Sequence, residues 1–143
     1  MIARDQAAAG VASALRPEPV LGAATVHEAF EARARAVPAA PAVLMADREV
    51  SYAELNAMAN RLAHRLRDMD VGPERFVAVC AQRSVETLAA ILSVPKAGGA
   101  VLPLDPADPQ ERLEALIEDA RPHVVLADAR NRGRFRTRNT LWL

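Results

Sequence analysis

One cysteine, one lysine, few aromatic rings and no net charge leave this 143-residue chain with little of the usual equipment of chemistry. Cys80 has no second cysteine to pair with, so the chain can form neither an internal disulfide nor a cysteine metal cluster, which fits a reducing compartment. Eighteen basic residues balance eighteen acidic ones and the pI is near neutral, which argues against nucleic acid or an anionic membrane as the main partner. No apolar run approaches the roughly 20 residues that span a bilayer. The first fifteen residues have neither the basic start nor the strong apolar core of a signal peptide, so the expectation is a cytoplasmic protein. Lys96 is the sole lysine among abundant Arg and Ala, a pattern of genomic base bias.

Catalytic signatures are missing as well. The chain contains no Walker-type phosphate loop, no G-x-G-x-x-G and no His-Glu-x-x-His. Gly98-Gly99 follows a helical pattern and precedes a strand, the reverse of the order that aims backbone amides at a phosphate; it reads as a helix stop. His27, His64 and His123 are isolated from one another and from other ligands, so each reads as a surface or boundary residue. Glu111, Glu114, Glu118 and Asp119 form a solvated helical face, and Lys96 stands at a helix end where a cation suits the dipole. Cys80, in the apolar run of residues 76–81, reads as a small hydrophobe in a buried strand.

What is present is ordinary globular material, 51% apolar and 25% charged, enough for one modest domain with a packed core. Residues 1–24 lack a clear period and read as a lead-in or linker. Thr25 and Glu28 form a capping-box pair before a helix over 26–37, with Val26, Phe30, Ala34 and Val37 on one face. Residues 42–46 and 48–51 read as two short strands turning at Asp47. Ser51 and Glu54 cap the clearest helix, whose Leu55, Met58, Ala59, Leu62, Leu66 and Met69 recur at helical spacing until Gly72-Pro73.

The strand at 76–81 is followed by a helix from about Ser84 with Leu88, Ile91 and Leu92, then by a strand at 100–104. Asp108 is the expected cap of the next helix, with Pro109 at its first position and Leu113, Leu116 and Ile117 on its apolar face. Residues 123–127 form a last strand. The alternation amounts to two βαβ units and requires a parallel sheet. Residues 130–143, with Arg at every second position from Arg130 to Arg138, match no buried pattern; the expectation is a solvated, disordered tail, and RNA binding is the weaker alternative.

Several stretches, in order, resemble the amino-acid adenylation domains of nonribosomal peptide synthetases, within the adenylate-forming ligases. Thr25-Val26-His27-Glu28-Ala29-Phe30 resembles the family opening. Ser51-Tyr52-Ala53-Glu54-Leu55 with Ala59-Asn60-Arg61-Leu62-Ala63 resembles the first core motif. Arg83-Ser84-Val85-Glu86 followed by Pro95-Lys96-Ala97-Gly98-Gly99-Ala100 resembles the second. Asp105-Pro106, Pro109, Glu111-Arg112-Leu113 and Glu118-Asp119-Ala120-Arg121-Pro122 continue in register. Pro95 departs from a usual leucine, Asp70 from a usual glycine, and Val101 and Asp108 from usual tyrosines.

The resemblance covers residues 25–129 and implies an α/β fold: part of the large N-terminal domain of an adenylate-forming enzyme, a short hairpin followed by βαβαβ parallel-sheet units. It implies ATP-dependent acyl-adenylate formation, with ATP and Mg as the full-length family's cofactors. Both core motifs are structural in that family, and its ATP and acyl contacts lie beyond the sequence matched here. The expectation is therefore a fragment inactive alone, with no catalytic, cofactor-binding or metal residue and no cofactor bound by this chain itself. Expected partners are the remainder of the domain or a carrier-protein assembly, and neither nucleic acid nor membrane. The alternatives are one half of a split adenylating enzyme or a non-catalytic α/β partner-binding protein; the missing phosphate loop disfavours a compact nucleotide-binding domain.

Overall fold

The computed structural model describes residues 25–45, 48–135 and 139–143, so the expected lead-in at 1–24 and the turn at Asp47 lie outside the described residues. Two compact units divide between Glu54 and Leu55. In the first, helix α1 (Val26–Ala36) starts with the expected capping box: the Glu28 amide donates to Thr25 Oγ1 and the Thr25 amide to Glu28 Oε2 at 2.9 Å. Val26 is 80% exposed, so the expected apolar face begins one turn later and Ala34 is its buried member. Strands β1 (Pro41–Met45) and β2 (Arg48–Ser51) pair antiparallel, with Val43 opposite Val50. The Tyr52 ring lies 5.6 Å from that of Phe30, and its amide donates to Ala40 O.

Helix α2 (Tyr52–Asp68) opens on a second reciprocal cap, in which the Ser51 amide and hydroxyl both donate to Glu54 Oε2 at 2.8 Å. Those bonds, with the Arg48 charge, hold the Glu54 carboxyl below its ordinary range despite some desolvation. In the second unit, strands β3 (Phe76–Cys80), β4 (Ala100–Pro103), β5 (Val124–Ala127) and β6 (Thr140–Trp142) form a parallel sheet in the order β4-β3-β5-β6. Helices α3 (Val85–Ala97) and α4 (Gln110–Ala120) are the crossovers.

Strands β3 and β5 read as unbroken apolar runs because both their faces are covered. Val77, Val79, Val124 and Leu126 point to one side, where Ala63 and Leu66 of α2 and Ala90 and Val94 of α3 pack. Ala78, Cys80, Val125 and Ala127 point to the other, against Leu113 of α4. Helix α3 turns two of its large residues outward. Its buried face is Val85, Ala89, Ala90, Ser93, Val94, Lys96 and Ala97, whereas Leu88 and Ile91 are 42% and 41% exposed. Small side chains let the helix lie close on the sheet, and the larger ones are displaced outward.

Pro95 sits inside the last turn of α3, and Gly98 ends the helix in the left-handed conformation at φ 91°, where a Cβ is unfavourable. Gly99 is required for a different reason: a Cβ there would stand 2.8 Å from Val71 Cγ1 and 3.1 Å from Arg75 O. Asp70, which follows α2, also takes a positive φ, 60°.

Two expectations need correction. The N-cap of α4 is Pro109, not Asp108: Pro109 keeps an extended ψ of 149°, its carbonyl receives the first helical amides, and no side chain caps the end. The Asp108 carboxylate turns to Arg112 Nε, 3.4 Å away. The described residues of the arginine-rich segment are built into the fold rather than forming a disordered tail. A 3-10 turn (Ala129–Asn131) follows β5, and residues 140–142 add the fourth parallel strand, with Arg132 stacked 5.5 Å over the Trp142 ring. Arg136 to Arg138 lie outside the described residues.

Candidate functional site

Strand β3 feeds α3 on one face of the sheet while its neighbour β4 feeds α4 on the other. The loops leaving their carboxyl ends therefore diverge, which is where open α/β sheets leave room for ligands. A crevice of about 690 Å³ lies there, between residues 81–83 after β3 and residues 103–107 after β4, with Arg130 at its side. Arg83, Asp105 and Arg130 bring exposed charges of both signs. Among the described residues that line it there is no Ser, Cys, His or Lys.

Its walls are fastened by side chains outside the expected motifs. Asp128, just past β5, accepts from the Gln82 amide at 2.8 Å, the Asn131 amide at 3.2 Å and Asn131 Nδ2 at 2.7 Å. Burial pushes the Asp128 carboxyl up, but these bonds and the Arg130 amide outweigh it and hold the group below its ordinary value. Thr87 Oγ1 donates to Gln82 O at 2.6 Å. On the opposite wall, Asp105 Oδ1 accepts from the Ala107 amide at 2.8 Å and the Asp108 amide reaches Asp105 O at 3.0 Å, closing a tight turn.

The residues weighed from sequence are scattered over the fold. Cys80 is fully buried in β3, and burial pushes its thiol up to about 11, with Arg134 opposing and the Asp128, Asp105 and Asp108 charges adding to the rise; it is not a nucleophile in this state. Lys96 is buried rather than solvated, and its Nζ donates to Asn56 Oδ1 at 2.9 Å. Arg67 Nη2 donates to the Lys96 carbonyl, tying α2 to the end of α3. His123 Nε2 contacts Met69 O at 2.9 Å and its Nδ1 contacts Arg75 Nη1 at 3.1 Å, so the carbonyl receives the ring proton and Nδ1 accepts.

His64 is exposed and His27 half-buried in α1. Among the described residues no group of three or more His, Cys, Asp or Glu is placed to hold a metal ion, and no helix is long and apolar enough to cross a membrane. The Gly98, Gly99 and Ala100 amides are already bonded, to Pro95 O, Val94 O and Arg75 O, and cannot cradle a phosphate. The strand ends that flank the crevice were legible in sequence, but Asp128, Arg130 and Arg134 were not singled out. A lone acidic residue ending an apolar strand was the available signal for Asp128.

Comparison with known proteins agrees with this architecture. The AMP-binding enzyme family matches residues 30–140, and the chain belongs to that family. Tyrocidine synthase 3 of Brevibacillus parabrevis is 45% identical over 105 residues, which is 73% of this chain and 2% of that protein. The AMB antimetabolite synthetase AmbB of Pseudomonas aeruginosa is 46% identical over 123 residues, 85% of this chain and 10% of its own length. Among solved structures, the nonribosomal peptide synthetase FmoA3 bound to α-methyl-L-serine-AMP matches with a TM-score of 0.77 and 36% identity, over 89% of this chain and 14% of that one. Its AMPPNP-bound form matches with the same score and 32% identity, over 95% and 15%. The chain thus corresponds to a small part of its relatives, within the N-terminal domain of an adenylation enzyme.

Proposed function

We propose that this chain is scaffold from an amino-acid adenylation domain, and that it takes part in ATP-dependent activation of a carboxylate only together with the rest of such a domain. The observation that carries the reading is the continuous match of residues 30–140 to AMP-binding enzymes, on helices and strands that build the sheet rather than on a catalytic constellation. ATP and Mg belong to the assembled enzyme. The paired amides of Gly98 and Gly99 are spent inside the fold, and no step of the reaction is assigned to any residue here. The remainder of the domain and a carrier protein are the proposed partners, in the cytoplasm, where one buried free cysteine is at ease.

A second reading, a non-catalytic partner-binding protein or one half of a split adenylating enzyme, draws support from Leu88 and Ile91, which lie exposed three residues apart on α3. Amino-acid-dependent pyrophosphate exchange tests the main proposal. The purified chain is expected to show none above a mock purification with any proteinogenic amino acid, and exchange by the chain alone would overturn it. Exchange that appears only on adding a separately expressed downstream polypeptide would favour the split-enzyme reading.

A further inference from the structure

Arg134 directs all three guanidinium nitrogens at the β4–α4 loop and the start of α4. Nη1 donates to Pro106 O at 2.6 Å and Nη2 to Asp108 O at 2.7 Å, while Nε donates to Gln110 Oε1 at 3.1 Å. Gln110 Nε2 answers by donating to Arg134 O at 2.8 Å, and Nη1 also reaches Asn131 Oδ1 at 3.4 Å. The planar fork matches this set of acceptors; an ammonium could not satisfy them together. Phe135, the next residue, packs on the cluster that holds Cys80, Leu104 and Leu113. Asn131 is buried and its Nδ2 reaches Cys80 O at 3.4 Å.

The segment at 129–135 therefore lies across the α4 side of the sheet and is fastened at both ends. Asp128 holds its start to the β3–α3 loop, and Arg134 holds its end to the β4–α4 loop. Both loops line the crevice. Little apolar surface secures this segment apart from Phe135, and its backbone is irregular beyond the 3-10 turn, the combination expected of a low-stability unit that opens by itself.

We infer that residues 129–135 form a strap with Arg134 as its buckle, and that releasing Arg134 opens the β4–α4 wall of the crevice and uncovers the Cys80 layer while the sheet stays folded. The device rests on the geometry of this segment and is independent of the family reading. It means that a ligand or partner that requires Pro106 or Asp108 to move must first compete with Arg134.

Cys80, the sole cysteine, supplies the readout. An aromatic disulfide that releases a coloured thiolate on reaction will label it at a rate set by how often the covering layer opens. Arg134→Ala is expected to raise the labelling rate at least tenfold in the absence of denaturant, with only a weak dependence on urea. A segmental opening exposes little surface, whereas labelling through global unfolding rises steeply with urea. Arg130→Ala removes an equal charge from an exposed crevice residue and is expected to label within about twofold of the parent.

Arg134→Lys keeps the charge but not the fork and is expected to fall between the two; it decides the matter if Arg134→Ala does not fold. Wild-type labelling rates in the Arg134 variant that folds, or acceleration that tracks its global unfolding in urea, would overturn the strap. So would equal acceleration by Arg130→Ala.

Discussion

Replacing Pro95 by leucine should stabilise the protein, although the wild-type residue sits in a well-formed turn. Helix α3 runs from Val85 to Ala97, so residue 95 is helical, and it has no N–H to offer Ile91 O four residues earlier. A proline in mid-helix costs about 3 kcal/mol relative to alanine. Two features lower the figure here. The helix ends at Gly98, whose amide bonds to Pro95 O and Val94 O, so little helix lies beyond the defect. Leucine also frees the unfolded chain, which takes back about 0.4–1 kcal/mol.

The net expectation is a gain of about 1–2 kcal/mol. With an m-value of about 2 kcal/mol per molar urea, the midpoint should rise by roughly 0.5–1 M. Pro95 is half-buried, so part of any gain could come from the new side chain. Pro95→Ala isolates the backbone contribution and should retain more than half of the effect. Urea unfolding followed by far-ultraviolet circular dichroism measures both variants. An unchanged or lowered midpoint in both would refute the reasoning and show that the Ile91 carbonyl loses nothing to the proline.

Gly99→Ala should destabilise by about 1–3 kcal/mol, because the added methyl overlaps Val71 and the Arg75 carbonyl, whereas Gly72→Ala, with nothing within 4 Å, should cost much less; comparable midpoints for the two would refute the close approach. Asp128 is held below its ordinary value in the fold, so its carboxylate stabilises fully above about pH 3.9, the unfolded value, and the contribution is lost as pH falls through the lower folded value. Asp128→Asn should accordingly be less stable than the parent at pH 7, with the gap in urea midpoint narrowing below about pH 4; a gap that stays constant down to pH 2 would assign the loss to something other than charge.

The second unit shows where sequence suffices and where it does not. The apolar runs of β3 and β5 announce themselves because parallel strands covered on both faces need no polar positions. The Thr25–Glu28 and Ser51–Glu54 pairs fix helix starts from within four residues of chain, and Gly98 stops α3 through its own backbone freedom. All of these are local, and so is the motif order that points to the family. Which way α3 faces was not local. Leu88 and Ile91 have the hydrophobicity of core residues, yet the sheet takes the alanine face because close approach rewards small side chains. Nor was the arginine-rich segment readable. Thr140 to Trp142 carry too few residues for a period, and they become a strand only because β5 offers a free edge. Arg134 looks like one more surface cation until the fold brings Pro106, Asp108 and Gln110 around it, residues 24 to 28 positions away in sequence. The sequence by itself determined the elements, their order and the family, because those follow from neighbours along the chain. Only the tertiary structure decided the crevice, the buried Lys96–Asn56 contact and the strap, because their partners meet only once the sheet has formed.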